Sequence, residues 1–417
     1  MKDYIVGIDI SSSKICGVVG KLDKENKIQI TGITTSEYGE GNDNVIENKK
    51  DISDIIRSVV NRLEDIVDSQ LEDVYLSVPI SLCEVVKTKG VVSFPTIKEI
   101  TEEDIINVGE VASFGVSKNQ EIVQVDIEEY IVGGMKNISN PLGMKTKVFE
   151  AEGNAFILDS KYVNEYKKCL YDAGINIKGW VVNSIGIAKD VVENDELDKG
   201  VAIIDIGNSN MEVTVFNKNK FLDFFSVPLG GNSITNDISI CLKLSREDSE
   251  RLKFKCNTLL KENSMENYRI KVNINENKVI EVNYTMLVDI ICERVKELLE
   301  IINKHIEKKQ LNNQIGSFVI VGGGISLFRD ITVIASDLLG KPVRIGVPSY
   351  VGAANPIYST ATGIIRDVLK KQQDFIKDSR LNDNVEVNDD SNGKSESKII
   401  AKLKGILKNF SNEEVIK

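Results

Sequence analysis

The chain repeats its own opening. Val201 to Asp205 is an apolar run ending in aspartate, followed by a small polar turn, a strand-like run from Glu212 to Phe216, a second turn and a further run from Phe221 to Val227. The first thirty residues follow the same plan. Residues 4–8 read as a buried strand closed by Asp9, and 15–19 and 28–33 as two more, joined by the polar turn Asp23-Lys24-Glu25-Asn26. An offset of 196 lays Asp9 on Asp205, Ile10 on Ile206, Ser13 on Ser209, Ile15 on Met211 and Val19 on Val215. Two alike halves predict two lobes with a cleft between them, each presenting an aspartate and a polar loop at the end of its first strand. The alternative is chance similarity between two amphipathic hairpins.

The rest of the chain fits layered α/β architecture. Ile52, Ile55, Ile56, Val59, Val60, Leu63 and Val67 recur at helical spacing, and 74–78 reads as a strand. Residues 83–160 fit neither half and read as an inserted α+β subdomain. There Thr101-Glu102-Glu103-Asp104, a capping-box variant, opens a helix expected through about Phe114, with strand-like runs at 121–127 and 130–132. Residues 241–310 are expected to form an outer subdomain, with a hairpin turning at Asn275-Glu276-Asn277 and a long amphipathic helix from Leu287 to Ile306. The first lobe is then assigned 1–82, 161–197 and 346–372, and the second 198–240 and 311–345. Residues 373–397 are acidic and polar, the composition of a disordered linker.

Several function classes are excluded early. The length of 417 residues suits two to four domain-sized units. A single histidine, His305, removes multi-histidine zinc sites and leaves a Ser-His-Asp hydrolase resting on one residue. The six cysteines form no CxxC pair, as expected in a reducing cytosol. A net charge of −11 argues against a nucleic-acid partner. The opening residues lack the features of a signal peptide, and no stretch is apolar enough to span a bilayer, so the bulk of the chain is expected to be soluble.

Nucleotide chemistry is not carried by the commonest motifs. Gly393-Lys394-Ser395 has Asn388 where a P-loop needs its first glycine, and Leu327 stands at the third glycine position of a dinucleotide fingerprint. The two Asp-ended strands remain. Asp9 and Asp205 can each hold Mg²⁺ through waters, while loop amides face phosphate oxygens. Asp9 leads into Ser11-Ser12-Ser13-Lys14, and Asp205 into Gly207-Asn208-Ser209-Asn210. Two ordinary turns would look the same singly; a facing pair can clamp a phosphate chain. Val319 to Val321 run into Gly322-Gly323-Gly324, where missing β-carbons let a flat ligand approach, and Pro228-Leu229-Gly230-Gly231-Asn232 precedes a helix whose amides can meet an anion.

Together these elements resemble the nucleotide site of the actin, sugar-kinase and heat-shock chaperone superfamily. Within it, the chain resembles the FtsA family of bacterial cell-division proteins. The resemblance is carried by Glu129 to Gly134 with Asn140 to Met144, by Pro228 to Ile238, by Val343 to Pro348 and by Tyr358 to Gly363. It implies a two-lobed actin-like fold with an inserted α+β subdomain, and an ATP-binding protein using Mg²⁺. Its implied role is to self-associate and tether FtsZ polymers, with other division proteins, to the cytoplasmic face of the membrane at the division site. Carried over residue by residue, Asp9, Ser12, Ser13 and Lys14 match the first phosphate loop. Asp205 and Gly207 match the second, with Asn208 and Ser209 in the same turn. Gly230 and Gly231 match the connecting turn, and Gly322, Gly323 and Gly324 the adenosine motif. Glu250 and Lys253 match a helix whose side chains contact the nucleoside. The family usually has glycine at the place of Ser11, and a second loop richer in Gly and Thr that ends in Asp where this chain has Glu212. No residue stands out as a general base, so turnover is expected to be slow at most. The alternatives are an actin-like adaptor of pilus or secretion assembly and a sugar-kinase-like phosphotransferase, which would need an Asp base beside its acceptor hydroxyl.

The C-terminus adds a membrane signal. As a helix, 398–410 places Ile399, Ile400, Leu403, Ile406, Leu407 and Phe410 on one face, flanked by Lys398, Lys402, Lys404 and Lys408. A basic amphipathic helix suits anionic lipid, each lysine contributing about 1 kcal/mol near such a surface. A helix docking on its own body or on a partner protein is the alternative.

Overall fold

The computed structural model describes residues 4–383 except 39–48, 114, 116, 118, 257, 261–267 and 276–277. Two five-stranded sheets of the same topology form its two lobes. In the first lobe β1 (Ile5–Ile10), β2 (Lys14–Leu22) and β3 (Ile28–Glu37) make an antiparallel meander; β4 (Asp73–Val78) and β9 (Asn176–Val182) add in parallel on the other side of β1. In the second lobe β10 (Val201–Ile206), β11 (Met211–Asn217) and β12 (Lys220–Val227) repeat the meander, and β15 (Ser317–Val321) and β16 (Val343–Ile345) add in parallel. The register repeats with the topology. Asp9 lies opposite Cys16 and Ile10 opposite Ile15; Asp205 lies opposite Glu212 and Ile206 opposite Met211, each pair displaced by the offset read in the sequence.

Helices cover both sheets. In the first lobe α1 (Lys49–Val67) and α3 (Ser160–Asp172) bury Ile56, Val59, Leu63, Tyr166 and Leu170 against Val6, Ile8 and Val74. The opposite face receives α10 (Ser359–Asp383), through Ile364, Ile365 and Leu369. Between the lobes α4 (Asn183–Val191) packs Ile185, Ile187 and Val191 against Ile203 and Val319, followed by the short α5 (Asn194–Lys199). In the second lobe α6 (Gly231–Leu242), α7 (Arg246–Lys255), the hairpin β13 (Arg269–Asn275) and β14 (Lys278–Asn283), α8 (Tyr284–Lys308) and α9 (Ile331–Leu339) share one core with the sheet. The apolar face of α8 runs Leu287, Ile291, Val295, Leu298, Ile302 and Ile306, the spacing that predicts it.

The insertion is a four-stranded antiparallel sheet in the order β5 (Glu84–Glu99), β8 (Lys145–Asp159), β6 (Gln120–Val132), β7 (Met135–Ile138), covered by α2 (Glu102–Val111). Thr101 caps α2 as predicted, accepting from the Asp104 amide while the Asp104 carboxylate accepts from the Thr101 amide. The two strand-like runs expected at 121–127 and 130–132 are one strand. Register shifts at Ile122/Gln124 and Ile127/Glu129 break its alternation, which is why the pattern lapses there. The insertion also leans on the second lobe: the Phe156 and Phe221 rings meet edge to face at 5.8 Å, and Lys220 pairs with Glu129 at 3.1 Å.

One boundary differs from the composition. Composition predicts the linker from 373, but α10 continues through Asp383; Gln372 to Asp383 contain neither Gly nor Pro, so nothing interrupts the helix. The remaining linker residues and the amphipathic segment 398–410, with Lys398, Ile399, Ile400, Lys402, Leu403, Lys404, Ile406, Leu407, Lys408 and Phe410, lie outside the described residues.

Candidate nucleotide site

The C-terminal ends of β1 and β10 bring the two polar loops to one cleft. Asp9 leaves β1 with its Oδ1 accepting from Ser77 Oγ on β4 at 2.6 Å. The loop closes through Ser11, whose N–H and Oγ both donate to the Lys14 carbonyl at 3.0 Å. Ser12 and Ser13 hydroxyls have no intramolecular partner among the described residues, and Lys14 Nζ donates to the Ile357 carbonyl at 3.3 Å. Ser11 is therefore spent on the turn, while Ser12 and Ser13 are free to meet a ligand.

The second loop is bound up differently. Gly207 N–H donates to the Asn210 carbonyl at 2.9 Å. The first amides of α6 then donate into the loop, Gly231 to the Gly207 carbonyl at 3.0 Å and Asn232 to the Asn208 carbonyl at 2.8 Å. This corrects the expectation that α6 offers those amides to an anion: they fasten the second loop instead. Gly230 is needed for that approach, since a β-carbon would stand 2.6 Å from both carbonyl oxygens. The Ser209 hydroxyl accepts from Asn232 Nδ2 at 3.3 Å, which turns its side chain toward α6.

The three glycines after β15 also serve the protein first. Gly324 N–H donates to the Ile206 carbonyl at 2.8 Å. Gly322 has φ +82°, and a β-carbon there would lie 2.4 Å from Asp205 Oδ1. The close approach expected of a flat ligand is thus made at these positions by the second loop. Gly323 is the open one, its nearest neighbour being Ile357 Cγ2 at 3.4 Å from a would-be β-carbon.

Glu250 and Lys253 on α7 reach the same corner. Buried Lys253 Nζ donates to Glu250 Oε2 at 2.7 Å, Thr235 Oγ1 at 3.0 Å and the Gly231 carbonyl at 3.3 Å. Its ammonium ties α7 to the start of α6, so of the pair Glu250, about one-third exposed at 35%, is the one open to a nucleoside.

Electrostatics favour a cation. Burial pushes the Asp9 carboxyl above its usual range, opposed by the Ser77 hydrogen bond and the charge of Lys14. Burial, with the charges of Glu212 and Asp9 added, pushes Asp205 up to about 7, and Lys14 opposes. Asp205 accepts no hydrogen bond among the described residues. Two carboxylates raised by burial, with only Lys14 as a nearby opposing charge, fit a cation such as Mg²⁺. Among the described residues no three His, Cys, Asp or Glu side chains converge on one point, so a cation here would keep waters between itself and Asp9 and Asp205.

Sequence reasoning missed the residues behind these loops. Glu212 Oε2 accepts from Asn183 Nδ2 at 2.6 Å, a buried bond, and its Oε1 from the part-buried Ser81 amide at 3.2 Å, linking the second lobe to the first. Ser77 carried a usable signal, a polar residue near the end of an apolar strand, as Asp9 is. Asn183 and Ser81 carried none, because their partners are 29 and 131 residues away.

Two family models match the chain in places that agree with this geometry. "SHS2 domain inserted in FTSA" matches residues 81–157, the insertion, and "Cell division protein FtsA" matches 202–363, from β10 into α10. Together they cover more than half of the chain. It belongs to the FtsA family of cell-division proteins. The FtsA of Borreliella burgdorferi is 27% identical over 414 residues, covering 97% of this chain and 98% of the relative. In fold, the chain is similar to the type IV pilus PilM–PilN complex (TM-score 0.59, 14% identity, 88% and 98% covered). It is likewise similar to MreB5 of Spiroplasma citri bound to ADP (TM-score 0.51, 13% identity, 90% and 98% covered). FtsA membership makes this a cell-division protein of two-lobed actin-like fold, in place of the pilus-assembly and sugar-kinase alternatives.

Proposed function

We propose that the chain is an ATP-binding adaptor that self-associates and ties FtsZ polymers to the cytoplasmic face of the membrane at the division site. The observation that carries the nucleotide part is the convergence of Asp9, Lys14, Asp205 and Gly323 on one cleft, with the Ser12 and Ser13 hydroxyls uncommitted. Asp9 and Asp205 would hold Mg²⁺ through waters, and the ion would neutralise phosphate charge between the two loops. The solved MreB5 relative in fold holds ADP, which supports the same use of the cleft. Hydrolysis is slow at most in this reading, because the first α6 amides are committed to Gly207 and Asn208 rather than to a phosphate.

The outer subdomain from 241 to 310 is the proposed FtsZ face, and the basic amphipathic segment 398–410 the lipid anchor. No described helix is long and apolar enough to cross a membrane. The proposed attachment is that basic amphipathic segment lying on the surface. The test is flotation of FtsZ polymers with vesicles containing phosphatidylglycerol. FtsZ is expected to float only when the full chain is present; flotation without it, or none with it, would refute the adaptor role.

A further inference from the structure

The loop between β1 and β2 spans only Ser11 to Ser13, and one residue outside it holds it twice. Tyr38, next after β3, donates its N–H to the Ser13 carbonyl at 3.0 Å and its hydroxyl to the Ser11 carbonyl. The ring is partly buried against the first-lobe core that includes Ile8, Ile52 and Tyr166, so the hydroxyl reaches the loop from the core side. Burial, with the charge of Asp9 added, keeps the phenol protonated and therefore a donor.

The consequence follows from peptide geometry. A trans peptide is planar, and the N–H of one residue points opposite to the carbonyl before it. With the Ser11 carbonyl held by Tyr38, the Ser12 N–H is turned away from Tyr38 and the core beneath it. All three polar groups of Ser11 are then used to hold the loop: N–H and Oγ on Lys14, carbonyl on Tyr38. The Ser12 amide and the Ser12 and Ser13 hydroxyls make no hydrogen bond among the described residues. Core packing alone does not ask for this hydroxyl, because phenylalanine would fill the same space; its only hydrogen-bond partner among the described residues is the Ser11 carbonyl.

We propose that Tyr38 is a positioning residue for phosphate binding: its hydroxyl fixes the first loop so that the Ser12 amide and the Ser12 and Ser13 hydroxyls are presented as one set to the phosphates of a bound nucleotide. The inference rests on the nucleotide reading above and adds a residue to it.

Tyr38→Phe tests it on the full-length chain, with three readouts. Without nucleotide, the melting temperature should stay within about 2 °C of wild type, while amide exchange at Ser12 and Ser13 quickens about threefold or more. Affinity for Mg-ATP and Mg-ADP should fall about three- to tenfold, the effect of one lost hydrogen bond on a binding loop. Affinity for adenosine, which lacks phosphates, should not change. Unchanged exchange and unchanged Mg-ATP affinity would overturn the proposal, as would an equal loss for adenosine, which marks a general structural effect. Wild-type chain that binds no Mg-ATP would overturn the nucleotide reading and this inference with it.

Discussion

Asp205 is one side chain whose protonation bears on both stability and the proposed binding. Its carboxyl is pushed up to about 7 in the folded chain, against 3.8 for an unperturbed group. The folded state therefore holds this proton more tightly than the unfolded state, and the metal-free chain should lose stability as pH rises from about 4 through 7. Asp205→Asn should remove that slope and stabilise the metal-free chain at pH 8 by about 1 kcal/mol or more. The same variant should weaken Mg-ATP binding. Melting curves in EDTA at pH 5 and pH 8 check the first part; equal slopes for both proteins would contradict it. Gly322→Ala is expected to cost about 3 kcal/mol by denaturant unfolding, since it combines φ +82° with a β-carbon 2.4 Å from Asp205. The need for glycine was legible in the sequence here, but its cause was not. The run Gly322-Gly323-Gly324 reads as room for a ligand, whereas two of the three make room for the neighbouring loop.

The elements themselves were mostly legible, because each carries its own period. The duplicated meander, the capping box at Thr101 and the long stripe of α8 all lie in contiguous residues. What could not be read was how elements meet. Lys189 on α4 pairs at 2.8 Å with Asp126 of the insertion and at 2.8 Å with Asp367 of α10, and Lys371 also reaches Asp367 at 2.7 Å. The two partners of Lys189 are 63 and 178 residues away, so no spacing rule announces them. Burial opposes the charge on Asp367, but Lys189 and Lys371 more than offset it and hold the carboxyl well below its usual range. Its contribution to stability is thus present at neutral pH and lost as pH falls below about 4. Lys189→Met should destabilise the chain by about 3 kcal/mol, because it leaves Asp367 buried with one partner fewer. It should also loosen the insertion on the first lobe, seen as faster amide exchange along β6. Unchanged stability would show that Lys371 alone suffices.

At the scale of the whole molecule, the proposed function divides between the body and the segment 398–410. The body is acidic, and the basic segment 398–410 stands apart from it in charge as in pattern. Truncation after Ser397 should abolish binding to phosphatidylglycerol vesicles. Leu403→Glu should do nearly the same by charging the apolar face, and Asn409→Ser should be almost silent. Vesicle co-sedimentation checks all three; a truncated chain that still binds would place the lipid contact elsewhere. The central claim is that the cleft between the lobes holds a nucleotide, and calorimetric titration of the full chain with Mg-ATP, followed by phosphate release on the same sample, tests it most directly. Micromolar binding with slow release is the predicted result. No heat of binding at millimolar Mg-ATP would contradict it, and would leave the two Asp-ended loops as lobe-closing structure alone.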